Sequence, residues 1–201
     1  MSIDLASMSV GGYLDALAAA QPVPGGGAVA GVTLAQANAL GSMVVGYAIG
    51  KPKFAAHDAV HRAAHETFER GRRSAIKLAA EDAKAYEHLN RLWKLAKGDP
   101  LRAGFDAAVL EAIRAPEESL ALAKSTLGAL AVLVGTTSAS LASDLRIAID
   151  LAAVGARAAQ ENVRINLPSV ADESARTEIS ARTEAVLAAC ESMARELAAR
   201  A

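Results

Sequence analysis

No charged residue lies between Asp15 and Lys51, and none between Lys124 and Asp144. Both stretches approach or exceed the roughly 20 residues that a membrane-spanning helix needs. The first contains Pro22, Pro24, Gln36 and Asn38, and its apolar content is mostly Ala, which gains little from lipid. Helices apolar on every side also lie at the centre of soluble bundles and at subunit interfaces, and that is the expectation here, with no membrane partner. Residues Met1-Ser2-Ile3-Asp4-Leu5 carry no basic stretch of the kind that opens a secretory signal.

Composition narrows the fold class. The 201 residues include 49 Ala but only 7 aromatics. Alanine is the strongest helix former, whereas sheets draw on β-branched and aromatic residues. The expectation is an all-α, single-domain multihelical bundle over residues 1–201, with long Ala-rich helices packed as a homodimer. A formal net charge of -1 gives no basic field for nucleic acid. One cysteine, Cys190, excludes a disulfide framework and a multi-Cys zinc site, and suits a reduced cytoplasmic protein. Among Ala188, Ala189 and Met193 it reads as a small buried hydrophobe.

Apolar spacing predicts helices over about residues 9–20, 26–50, 57–96, 101–134 and 140–166, and a last one from Asp172 to the C-terminus. Pro52 and the Lys97-Gly98-Asp99-Pro100 run mark breaks, and Pro116 is expected to kink or interrupt its helix.

Four patterns carry chemistry. Pro22-Val23-Pro24-Gly25-Gly26-Gly27 runs straight into a helix. It is either a tight connection between packed helices or a helix start with open N–H groups for an anionic or polar ligand. Asp82 sits mid-helix, where Asp is disfavoured, with Tyr86 four residues on along the same face. It is either part of a solvated face or a carboxylate held as a proton shuttle. Ser143-Asp144 and, further on, Asn162 and Asn166 form a third pattern; the two amides, four apart, either cap a helix end or read a polar ring. The fourth is the ladder His57, His61, His65 and Glu69. Its three His rungs span about 12 Å, too far for one zinc ion, so it reads as a solvated or interface face.

Together these elements resemble the cyclodeaminase domain of formiminotransferase-cyclodeaminase and the free-standing methenyltetrahydrofolate cyclohydrolases. The resemblance rests on the Pro-x-Pro-Gly-Gly-Gly element, Ser42-Met43-Val44, and Tyr47 to Phe54, which is similar to the family's Thr-Ile-Gly-Lys-Lys-Lys-Tyr. It continues through Asp82 with Ala85-Tyr86 (the family's Asp-x-x-Ala-Phe), Pro116, Ser143-Asp144 and Asn162-Val163-x-Ile165-Asn166-Leu167. It implies an all-helical homodimer acting on a tetrahydrofolate derivative without metal or cofactor. On that resemblance Asp82 is the catalytic acid/base. Asn162 and Asn166 hold the pterin edge, Asp144 is a second polar anchor, Gly25, Gly26 and Gly27 approach the ligand, and Lys51 and Lys53 attract the glutamate tail. This chain departs from the family where Thr137-Ser138 replace Gly-Asn, Pro52 a lysine and Ala48 a threonine. The replaced Gly-Asn is the feature that favours the other reading, a non-catalytic helical oligomer that keeps the fold and binds a folate-like ligand.

Overall fold

The computed structural model describes residues 5–201; the reading of the extreme N-terminus as lacking a basic stretch lies on residues 1–4 and Leu5, mostly outside that range. Six α-helices follow in order: α1 (Val10–Ala18), α2 (Gly26–Gly46), α3 (Asp58–Trp93), α4 (Phe105–Leu133), α5 (Ala142–Asn166) and α6 (Glu173–Ala198). Short 3-10 turns join several of them, and the described residues contain no strand. Ser9 caps α1 by accepting from the Gly12 N–H, and Asp172 caps α6 by accepting from the Ala175 N–H. Each cap satisfies a donor that the first helical turn leaves open.

The uncharged run becomes α2, which packs along α3 on one side and α5 on the other, with α4 also against it. By length and composition α2 is apolar enough to cross a bilayer, yet about half of it is buried inside the fold. Small residues bring these helices unusually close. A Cβ on Gly31 would stand 2.6 Å from the Ala79 Cβ, and one on Gly155 would stand 2.6 Å from Leu34. Phe68, packed edge-on against Gly41, is joined in the core by Leu34, Leu89, Ile113, Leu127, Leu130 and Ile149. The core also holds buried polar bridges, among them Gln160 Nε2 donating to Thr183 Oγ1 between α5 and α6. The Asn38 amide donates to Leu34 O and to Thr126 Oγ1, tying α2 to α4 where an unpaired amide would be costly.

Two expectations need correction. Of the kink or interruption expected at Pro116, the interruption does not occur: α4 runs through it, with Pro116 buried. The second helix ends at Gly46 rather than near residue 50, because turns through Tyr47 and Ala48 lead to Gly50, which takes a positive φ of 70°.

The histidine ladder also divides. His57 is exposed, but His61 is fully buried, with Nε2 3.1 Å from Thr136 Oγ1. Glu69 accepts from the Ser42 hydroxyl. The face read as solvated or interface therefore turns into the chain's own interior at its second rung. Cys190 is fully buried, and burial pushes its thiol up to about 11.

Candidate active site

The turn after α1 descends through Val23-Pro24, a cis peptide, into Gly25, the N-cap of α2. Hydrogen bonding along α2 begins with Val29 N–H donating to Gly25 O. The amides of Gly26, Gly27 and Ala28 consequently have no helical acceptor, and no side chain caps the helix. A helix end left open in this way carries a partial positive charge toward whatever faces it.

What faces it is a cleft of about 300 Å³ lined by Pro22, Val23, the three glycines, Asp82, Tyr86, Ala112, Asn162, Ile165 and Asn166. Three helices supply its polar groups: the start of α2, the middle of α3 and the C-terminal turns of α5. Asp82 lies against Gly27 so closely that any side chain there would overlap its carboxylate. The carboxylate makes no hydrogen bond or ion pair with any described residue, and burial pushes its pKa up to about 6. A carboxylate so poised exchanges protons near neutral pH, which is what acid/base work requires.

The two asparagines are held by their own helix. Asn162 Nδ2 donates to Ala158 O at 2.8 Å, and Asn166 Nδ2 donates to Asn162 O at 2.9 Å. Asn166 is 4% exposed, and its Oδ1 is buried with no partner. Such an acceptor normally finds a donor.

The structure thus gathers six of the expected site residues: Gly25, Gly26, Gly27, Asp82, Asn162 and Asn166. It leaves three elsewhere. Lys51 and Lys53 follow the C-terminal end of α2, about 30 Å along the helix from Gly26. Asp144 lies in the first turn of α5, about 27 Å along it from Asn162. All three stand at the opposite end of the bundle, so within one chain they do not line the cleft with Asp82. Lys53 there extends over the Phe54 ring, 5.3 Å from its centre. Tyr86 was missed as a site residue, although its i+4 spacing from Asp82 was a sufficient signal. Its hydroxyl has no hydrogen-bond partner among the described residues.

The fold is thus an all-helical bundle with a half-buried carboxylate, unpartnered among the described residues, at an open helix start. A sequence profile described as formiminotransferase-cyclodeaminase matches residues 9–185. The chain belongs to that family. It is 28% identical over 181 residues to the methenyltetrahydrofolate cyclohydrolase of Methylorubrum extorquens, covering 88% of this chain and 87% of that one. It is 32% identical over 169 residues to the formimidoyltransferase-cyclodeaminase of Sus scrofa, covering 82% of this chain but 31% of the relative. The fold matches the crystal structure of formiminotetrahydrofolate cyclodeaminase from Thermotoga maritima with a TM-score of 0.85 at 27% identity, over 96% of both chains.

Proposed function

We propose that this chain is a folate one-carbon enzyme that hydrolyses 5,10-methenyl-tetrahydrofolate to 10-formyl-tetrahydrofolate, with Asp82 as general acid/base. The observation that carries this reading is the Asp82 carboxylate itself, half-buried against the open start of α2 with no cation among the described residues to neutralise it. A cationic amidinium supplies the missing positive charge. Water adds to the amidinium carbon and gives one proton to Asp82. As the carbon–N5 bond breaks, Asp82 returns that proton to N5, and the remaining hydroxyl proton leaves to solvent as the formyl C=O forms. These transfers call for no metal, redox group or covalent nucleophile.

The near end-to-end match to the M. extorquens cyclohydrolase favours this reaction. The similarly complete match to the T. maritima structure favours a second one. There N10 attacks the carbon of the protonated formimino group (–CH=NH2+) on N5, leaving an amine on that carbon; N10 passes its proton to Asp82, and Asp82 hands it to the amine, which departs as ammonia to give the methenyl cation. Incubation with 5,10-methenyl-tetrahydrofolate, followed by loss of near-ultraviolet absorbance, tests the first reaction beside Asp82→Asn. Ammonia release from 5-formimino-tetrahydrofolate tests the second. Equal rates for wild type and variant in both assays remove Asp82 from the mechanism.

We further propose a cytoplasmic homodimer. An apolar stripe runs the length of α5 through Ile147, Leu151, Val154, Ala158 and Ile165, and Ile147, Val154 and Ile165 are 50%, 44% and 69% exposed. Two copies paired antiparallel about Val154 would set the Asp144 end of one α5 against the Asn162 end of the other. In that arrangement Asp144, Lys51 and Lys53 serve the cleft of the neighbouring copy.

A further inference from the structure

Of the ladder histidines only His61 is fully buried, and its neighbours fix its protonation. Thr136 Oγ1 donates its hydrogen to Val132 O, so it has only lone pairs left for the imidazole. His61 Nε2 is therefore the donor across their 3.1 Å contact, and Nδ1 is the acceptor of a neutral ring. Nδ1 is buried with no partner among the described residues. A second proton could go only there, where nothing receives it.

The Pro52–His57 3-10 turn covers this ring. Phe54 meets it edge-on at 6.4 Å, and His57 lies 5.9 Å from it, centre to centre. Just before the turn, Gly50 N–H donates to the Asp58 carboxylate at 2.7 Å, and Arg62 Nε donates to the same carboxylate. These contacts hold Asp58 below the usual carboxylate range, so that clasp stays charged down to about pH 5. The interior offers His61 no charge. α2 comes from the uncharged run between Asp15 and Lys51, whose single titratable residue, Tyr47, is exposed. α4 ends in the uncharged run between Lys124 and Asp144. The remaining charged or titratable neighbours along the chain are Lys51, Lys53 and His57 of the turn, and Asp58, Arg62 and His65 of α3.

We propose that His61 is a proton-operated latch: the Pro52–His57 turn stays closed over the neutral imidazole and opens when the ring is protonated. Burial, and after it the nearby His57, hold the closed form's imidazole below its ordinary 6.5. An opened turn returns the ring to solvent and to that ordinary value. Closure is therefore strongest above about pH 7 and weakens as pH falls through about 6.5. Lys51 stands at the start of the turn and Lys53 within it, so opening displaces both cations. The latch lies at the far end of α2 from Asp82 and does not depend on the folate reading.

Hydrogen–deuterium exchange of the whole chain, corrected for the intrinsic pH dependence of exchange, tests the latch. Between about pH 7.5 and 5.5, protection of residues 50–61 is expected to fall several-fold, with about tenfold as the ceiling for one proton. Protection of α5 should not change. In His61→Gln, which keeps an N–H donor but cannot titrate, protection of the turn should be independent of pH. Carbon-13 NMR of the wild-type imidazoles gives a second readout, which stands even if the variant fails to fold: His61 should titrate over the interval in which protection falls. Constant wild-type protection, or a fall that persists in His61→Gln, overturns the latch. So does a His61 ring that stays neutral while the turn opens.

Discussion

Asp82 fills the space that a side chain on Gly27 would occupy. The Asp82 carboxylate and the start of α2 are in direct contact, and the glycine is what permits it. Gly27→Ala should therefore separate stability from activity. Alanine in a helix is favoured over glycine by up to about 1 kcal/mol, so the melting temperature should change little. The displaced carboxylate should reduce kcat/KM by about a hundredfold. Thermal melts beside steady-state rates check both; unchanged kcat/KM would show that the contact is not needed.

Burial raises the folded-state pKa of Asp82 to about 6 from 3.8. The folded protein holds this proton more tightly than the unfolded chain. The associated stability is present below about pH 4 and lost as pH rises through about 6. Asp82→Asn avoids that loss, so at pH 8 it should be more stable than wild type by about 2–3 kcal/mol. The advantage should shrink toward zero below pH 4. Denaturant unfolding across that range measures it, and a variant less stable at pH 8 would contradict it.

The same titration has a kinetic counterpart. As the base that takes a proton from water, Asp82 must be ionised. For methenyl-tetrahydrofolate hydrolysis, the enzyme-dependent kcat/KM should rise through about pH 6 and level off above it. Asp82→Asn should lose about 100-fold or more and show no such inflection.

Tyr86 lines the cleft, and its hydroxyl has no partner among the described residues. Tyr86→Phe keeps the ring and its packing, so folding should be untouched, while KM should rise about fivefold for a lost ligand hydrogen bond. A circular dichroism melt and a substrate titration distinguish this from a structural role.

A charge in the α5 stripe should dissociate the proposed dimer. Val154→Glu is expected to sediment with the 20.6 kDa mass of one chain, against twice that for wild type, with helicity retained. A wild-type monomer at micromolar concentration would overturn the dimer.

Helix order and most boundaries were legible because alanine content, proline breaks and the Asp172 cap act locally. So were the glycine turn, Asp82 and the asparagines, since their residue types are anomalous where they stand. That Lys51 and Asp144 stand at the other end of the same chain's bundle is not legible, because a motif's presence says nothing about which end of a bundle it reaches. Helix length does: 21 residues of α2 already separate Gly26 from the Lys51 turn. The burial of His61 is not legible because the ladder spacing does not reveal that Thr136, in the turn just after α4, stands 3.1 Å from its Nε2. Continuity of α4 through Pro116 was unreadable for a similar reason: packing on both sides outweighs one missing N–H.

Gly31, Gly41 and Gly155 set how near α2 comes to its neighbours, and the cleft is assembled from those same helices. The spacing of the reactive groups is thus an architectural dimension, fixed by the absence of side chains along the bundle's interior. Enlarging any one of these three positions would prise apart Asp82 and the asparagines from well outside the cleft, so a lesion that touches no ligand would register as lost turnover.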